Sequence, residues 1–475
     1  MTRMVSSSHE KVLSLRDIIL FTVSGILLVD FVAVATSLGS NTMFWWPVFM
    51  IIFFVPVGLM TAELGSRFPE QGGIYSWVRR AFGYRSGSRI TWFYWVNVAL
   101  WMPSIYLIFS GILSAMFFPD MTLFGHVAIG IALAVFTYLI NVMKLNDAKW
   151  IPNIGAYLKA IVSIAIGLGG LVYGFNNGFA NDIRLENFTS NLSEVFIYAP
   201  VVVYSLLGFE LVCASADEMK NPRKDIPKAI FISAPIIAFA YLFCALGILA
   251  AVPAEEIDAI DVIAKTVFNL FGDSGLGLFM AYAVGITALL SFLANIATWT
   301  MGANRTVAEA AEEGELPKIF GKLHSTNKTP IGAAGLTAII SIAVQIIYGL
   351  MATNAEDLFW SIFSFSAIIF LIPYIYMCFA FLKLRAEYAS QTDVFVIPGG
   401  KWVGRILAWV SSFILLATIV LFIYTPGEPV DWSIALPIII GVFISLGIGE
   451  VLIRVAESNN QSNHDEVGEL APSAR

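Results

Sequence analysis

Twelve apolar runs, each long enough to cross a bilayer as a helix of about 20 residues, divide this chain at 17–38, 43–65, 90–118, 124–143, 154–175, 195–216, 229–252, 275–302, 331–353, 357–382, 403–425 and 432–453. No other feature leaves the fold so little choice. Inside a bilayer every backbone N–H and C=O must be satisfied within the protein, so continuous runs of this length become helices. The expected fold class is therefore all-α, a polytopic membrane protein with 12 transmembrane helices. Composition agrees: of 475 residues 58% are hydrophobic and 13% charged, where a soluble chain carries about 25% charged residues. Residues 1–15 are polar with no apolar core of a signal peptide, so no cleavable leader is expected. Cys213, Cys244 and Cys378 all fall within apolar runs and read as small hydrophobes without a disulfide framework.

Of the 27 lysines and arginines, all except Lys159, Arg184 and Lys265 lie in segments that are cytoplasmic if the N-terminus is inside. The positive-inside rule then places both termini in the cytoplasm of a cell (inner) membrane protein, with the lipid bilayer as its surroundings.

Two spans are interrupted by residues that do not suit a lipid-facing helix. Span six carries Leu207-Gly208-Phe209-Glu210 and span one carries Val23-Ser24-Gly25-Ile26 followed by Asp30. Glycine weakens the helix, and a carboxyl at membrane depth needs a cavity or a partner. Two broken helices at matching places five spans apart point to a 5+5 inverted repeat with a binding site between spans one and six. Blander readings remain beside this one: close packing at Gly208, a back-bond from Ser24 to the preceding turn, and an interfacial position for Asp30. The expected divisions are a cytoplasmic segment (1–15), a first repeat (16–175), a second repeat (194–385), two peripheral helices (402–453) and a disordered tail (454–475).

Several stretches then match a known family. Pro69-Glu70-Gln71-Gly72-Gly73-Ile74-Tyr75 follows span two and resembles the P-x-x-G-G-x-Y motif of the amino acid–polyamine–organocation superfamily. Gly208-Phe209-Glu210, then Glu218, Asn221-Pro222-Arg223 and Ile226-Pro227-Lys228-Ala229, resemble that superfamily's sixth span. The run from Trp299 through Ala310, Gly314, Pro317 and Phe320, and the later Ile397-Pro398-Gly399-Gly400-Lys401, are most similar to its bacterial amino acid/amine antiporters of the arginine/agmatine and glutamate/GABA types. The first glycine of the usual Gly-Ser-Gly is here Val23, and Asp30 stands where a proline or neutral residue is common.

The resemblance implies a secondary active transporter of amino acids or their decarboxylated amines, working by alternating access and independent of sodium. Proton-coupled permease action is the alternative, and a transporter-like receptor a more distant one. It implies that backbone N–H groups around Ser24, Gly25 and Ile26 receive a substrate carboxylate, that carbonyls from Leu206 through Leu207 and Gly208 to Phe209 receive an amine, and that Tyr204 and Trp299 are aromatic contacts. An ordinary span tyrosine and an interfacial tryptophan are the plain readings of those two. Asp30 joins the substrate-binding set, and Glu210 becomes a proton-coupling group. Lys159 either snorkels to the cytoplasmic face or, as the resemblance implies, places its ammonium where sodium-coupled relatives bind an ion and is a second proton-coupling candidate. The two acids favour neutral or cationic substrates over dicarboxylates. His9, His126, His324 and His464 are scattered, so no metal, cofactor, enzymatic activity or nucleic-acid partner is expected; the chain is expected as a monomer or homodimer.

Overall fold

The computed structural model describes residues 11, 13–36, 39–70, 72–143, 150–182, 192–258, 260–352, 354–427, 429–430 and 432–469. They form an all-α bundle, with one isolated β-bridge between Leu13 and Met219. Among the described residues ten helices are long and apolar enough to cross a bilayer. Spans one and six are absent from those ten because each is cut in two, and they complete the twelve expected from the sequence.

Span one is α1 (Leu15–Ile26) and α2 (Val29–Thr36). A capping box starts it: the Ser14 hydroxyl receives the Asp17 N–H while the Asp17 carboxylate receives the Ser14 N–H at 3.0 Å, satisfying two orphan donors of the first turn. Span two is α3 (Thr42–Phe49), a π-turn (Met50–Phe54) and α4 (Val55–Arg67). A short amphipathic helix, α5 (Ile74–Phe82), lies between two positive-φ glycines, Gly73 and Gly83, before span three, α6 (Tyr84–Phe117). Spans four and five are α7 (Leu123–Val142) and α8 (Trp150–Asn177).

Span six is α9 (Leu192–Ser205) followed, across a break, by a 3-10 helix (Phe209–Glu218). The break sits on Gly208, whose φ of 122° is open to glycine and strained for other residues. Span seven, α10 (Pro222–Ala251), begins with proline at its first position, where a missing N–H costs nothing. After the short α11 (Val262–Phe271) come α12 (Gly275–Glu312), α13 (Ile331–Gly349), α14 (Ala355–Glu387), α15 (Gly400–Leu421) and α16 (Trp432–Glu469).

Small residues decide which helices touch. A Cβ on Gly170 of α8 would lie 2.3 Å from the Cα of Gly247 on α10, so these two spans meet backbone to backbone, as membrane helices do without a hydrophobic drive between them. Span three runs through the centre against α12, α13 and α14. Spans eleven and twelve leave large apolar side chains on the outside of the bundle: Trp402, Trp409, Phe413, Phe443 and Val451 are exposed. The last helix differs from the tail expected past residue 453, for it continues through Glu469; no proline interrupts the chain until Pro472.

Candidate functional site

Helix α1 ends at Ile26, and the chain is non-helical at Leu27 and Leu28 before α2 begins. Ser24, Gly25 and Ile26 are therefore the last turn of a half-helix. Their N–H groups belong to its ladder, and their carbonyls form its negative end. The break falls after the Ser-Gly pair because glycine can still complete a helical turn.

Each of these three carbonyls has a side-chain donor from another span. Lys159 is 2% exposed and its ammonium donates to the Ser24 carbonyl and to Asn295 Oδ1 (3.0 Å), so it stays inside the bundle. Trp299 donates its indole N–H to the Gly25 carbonyl at 3.0 Å. Tyr241 of span seven binds both breaks at once: its hydroxyl accepts the Leu28 N–H (3.1 Å) and has the Ile26 and Ser205 carbonyls within reach of its single proton. The Ser24 hydroxyl pairs with Thr298 at 3.4 Å.

Around this carbonyl end stands a cage of aromatic rings. Tyr204 meets Phe31, Phe363 and Phe370 with centroids 5.4, 5.3 and 5.3 Å away. Trp299 meets Trp101 edge-on at 5.2 Å and Phe370 at 5.7 Å, and Trp101 stacks on Phe31 at 6.0 Å. A Cβ on Gly208 would sit 3.2 Å from Ile26 and 3.5 Å from the Trp299 ring, so glycine there also lets the span-six backbone reach the cage. Leu207 is buried in the same break. The Phe209 ring points elsewhere, stacking on Phe54 of span two at 4.6 Å; its part in the site is confined to backbone.

Glu210 is buried one residue beyond, where the Tyr94 hydroxyl donates to its Oε1 at 3.1 Å and Tyr374 lies beside it. A cavity of about 20 Å³ adjoins the carboxyl and is lined by Gly72, Gly73, Tyr94, Gly302 and Thr306, which is room for a single water. Asp30 belongs to α2, and its side chain lies outside the described residues.

The face that carries the basic connectors is fastened by polar contacts. Leu13 N–H donates to the Glu218 carbonyl at 3.0 Å, Arg305 pairs with Glu218 at 3.6 Å, and Asn153 donates to Asp17 at 3.0 Å. Arg79 of α5 pairs with Glu313 and, at 3.0 Å, with Glu315. Glu315 also receives the Ser88 hydroxyl at 3.2 Å, and its burial, partly countered by Arg79, pushes its carboxyl up to about 7. The free thiols Cys213, Cys244 and Cys378 are buried. Among the described residues no three His, Cys, Asp or Glu side chains converge as metal ligands.

The sequence reading passed over Tyr241, Phe31, Trp101, Phe363, Phe370, Tyr94, Tyr374 and Asn295. For Tyr241, Tyr94, Tyr374 and Asn295 the one available signal was a hydroxyl or amide in mid-span, which in hydrocarbon needs a partner; Phe31, Trp101, Phe363 and Phe370 carried no such signal.

Comparison with known proteins agrees with this architecture. The family profile "Amino acid permease" matches residues 13–444. A probable agmatine/putrescine antiporter of Lactococcus lactis is 31% identical over 457 residues, covering 95% of this chain and 97% of its own length. A transporter of Legionella pneumophila is 26% identical, covering 88% of this chain and 91% of itself. The human large neutral amino acids transporter small subunit 2 is also 26% identical, over 66% of this chain and 58% of its own length. A family match across nearly the whole chain, on a multi-pass bundle with paired broken helices, makes this protein a member of the amino acid permease family and a transporter of amino acids or amines.

Proposed function

We propose that the protein is a sodium-independent antiporter that exchanges amines or cationic amino acids by alternating access, with both termini and the basic face in the cytoplasm. The observation that carries this reading is the aromatic cage built over the carbonyl end of α1. Aromatic faces and a helix C-terminus both attract positive charge. Lys159 is engaged by Ser24 and Asn295, so its charge serves the bundle where a coupling cation would otherwise sit. On this reading a substrate ammonium replaces the side-chain donors at the Gly25 and Ile26 carbonyls, and any substrate carboxylate meets the N-terminal end of α2. The similarity to a probable agmatine/putrescine antiporter supports an amine as one exchanged partner.

A second reading, proton-coupled uptake, is favoured by the buried Glu210 with its tyrosine donor and adjoining cavity. In either case dicarboxylic substrates are disfavoured. The test of the substrate class is a thermal-shift and competition panel on the purified chain. A true ligand at a hundred times its Kd stabilises by about 2.7 kcal/mol; agmatine, putrescine and cationic amino acids are expected to do so. Glutamate as the best competitor at neutral pH overturns the assignment.

A further inference from the structure

We infer that the groove between α5, α14 and α15 is a binding site for an anionic phospholipid of the leaflet on the basic face. The groove encloses about 810 Å³ and is lined by Phe82, Ser86, Tyr376, Phe379, Lys383, Arg405 and Trp409, together with Ile375 and Leu382. Its only charged lining residues are Lys383 and Arg405. Both are cationic and reachable.

Their charge is little spent within the protein. Lys383 lies 3.9 Å from Glu387, with each side chain 47% exposed, and a pair so open to solvent contributes little. Its ammonium sits over the Phe82 ring at 5.6 Å. Arg405 makes no ion pair among the described residues, and its guanidinium lies over Trp402 at 5.3 Å, which leaves its edge donors available. Arg85 and Arg89, on either side of Ser86, are by contrast held by Glu450. The two groove cations are thus left for a ligand, and Ser86 and Tyr376 line the same groove with hydroxyl-bearing side chains.

The walls say what kind of anion fits. Ile375, Phe379, Leu382 and Trp409 make the groove apolar away from the cations, and Trp402 and Trp409 are 72% and 59% exposed, as interfacial tryptophans are. A free phosphate would leave these walls in contact with water or lipid. A phospholipid fills both parts, its phosphate at Lys383 and Arg405 and an acyl chain along Phe379 and Trp409. Basic pockets between helices on the cytoplasmic side bind anionic head groups in this manner. The orientation is that of the proposed function; the site itself does not depend on which substrate is carried. Because the groove joins α5 and α14 to the peripheral α15, a bound lipid ties the bundle to its periphery.

Native mass spectrometry of the delipidated full chain, titrated with phosphatidylglycerol or phosphatidylcholine, tests this. Phosphatidylglycerol is expected to bind preferentially, Lys383→Gln and Arg405→Gln to weaken it roughly fivefold each, and the double variant roughly thirtyfold. Unchanged thermal stability and amine binding in these variants show that the exposed substitutions leave the fold intact. Equal binding of the two lipids, or wild-type affinity in the double variant, overturns the inference. So does competition by sn-glycerol 3-phosphate as effective as that of the lipid, or a dimer whose formation blocks the groove regardless of lipid.

Discussion

Replacing Lys159 by methionine removes the ammonium while keeping most of the side-chain volume. The structure fixes what is lost: two charge-assisted hydrogen bonds, to the Ser24 carbonyl and to Asn295, worth about 1.5–3 kcal/mol each. Against that stands the relief of a buried charge, itself several kcal/mol. Overall stability should therefore change by no more than about 2 kcal/mol. Transport should change far more, because the lost bonds tie α8 to both α1 and α12 beside the break in span one. If one such bond, about 2–3 kcal/mol, is present only in the arrangement that turns over, exchange slows by roughly 30- to 150-fold. The assay is amine exchange in proteoliposomes in choline buffer, run beside a thermal melt of the same preparation. Exchange by Lys159→Met at the wild-type rate would refute the reasoning, as would a wild type that requires sodium.

Trp299→Leu removes a ring face from the cage and should raise the Kd for a cationic amine by about 3- to 30-fold, measured calorimetrically; equal weakening of a neutral amino acid would argue against a charge-recognising cage. Tyr241→Phe keeps the ring contact with Trp46 at 4.8 Å but strands the buried Leu28 N–H, so apparent stability should fall by about 1–3 kcal/mol; an unchanged melt contradicts the bridging role. Glu315 holds its proton up to about pH 7 in the fastened basic face, chiefly through burial, against an ordinary value of 4.5. The fastened state therefore binds more protons than an opened one and gains stability as pH falls below about 7. Exchange should slow over that interval and Glu315→Gln should flatten the profile; an unaltered profile in the variant removes Glu315 from the account.

Much of this arrangement was legible in the residues, for reasons that are physical. Gly208 and Lys159 were visible because hydrocarbon makes a glycine break and a buried ammonium expensive, so neither occurs in a span without a structural answer. The place of the span-one break was less legible: Ser24-Gly25 can complete a helical turn, and the chain opens only at Leu27 and Leu28, two residues with no intrinsic bias toward opening. The partners of the breaks were hidden for another reason. Tyr241, Asn295 and the rings of Phe31, Phe363 and Phe370 lie in unremarkable apolar runs, and only the packing of distant spans shows that they converge. The same holds for Phe209, whose place in the motif gives no sign that its ring turns to Phe54.

Solute counterflow tests the central claim most directly. Proteoliposomes loaded with unlabelled putrescine or agmatine, diluted into sodium-free medium containing the labelled amine, should accumulate label transiently and only when loaded. Liposomes loaded with glutamate should not drive it. Uptake that ignores internal amine, or that appears only with external sodium, contradicts sodium-independent exchange at the cage over α1.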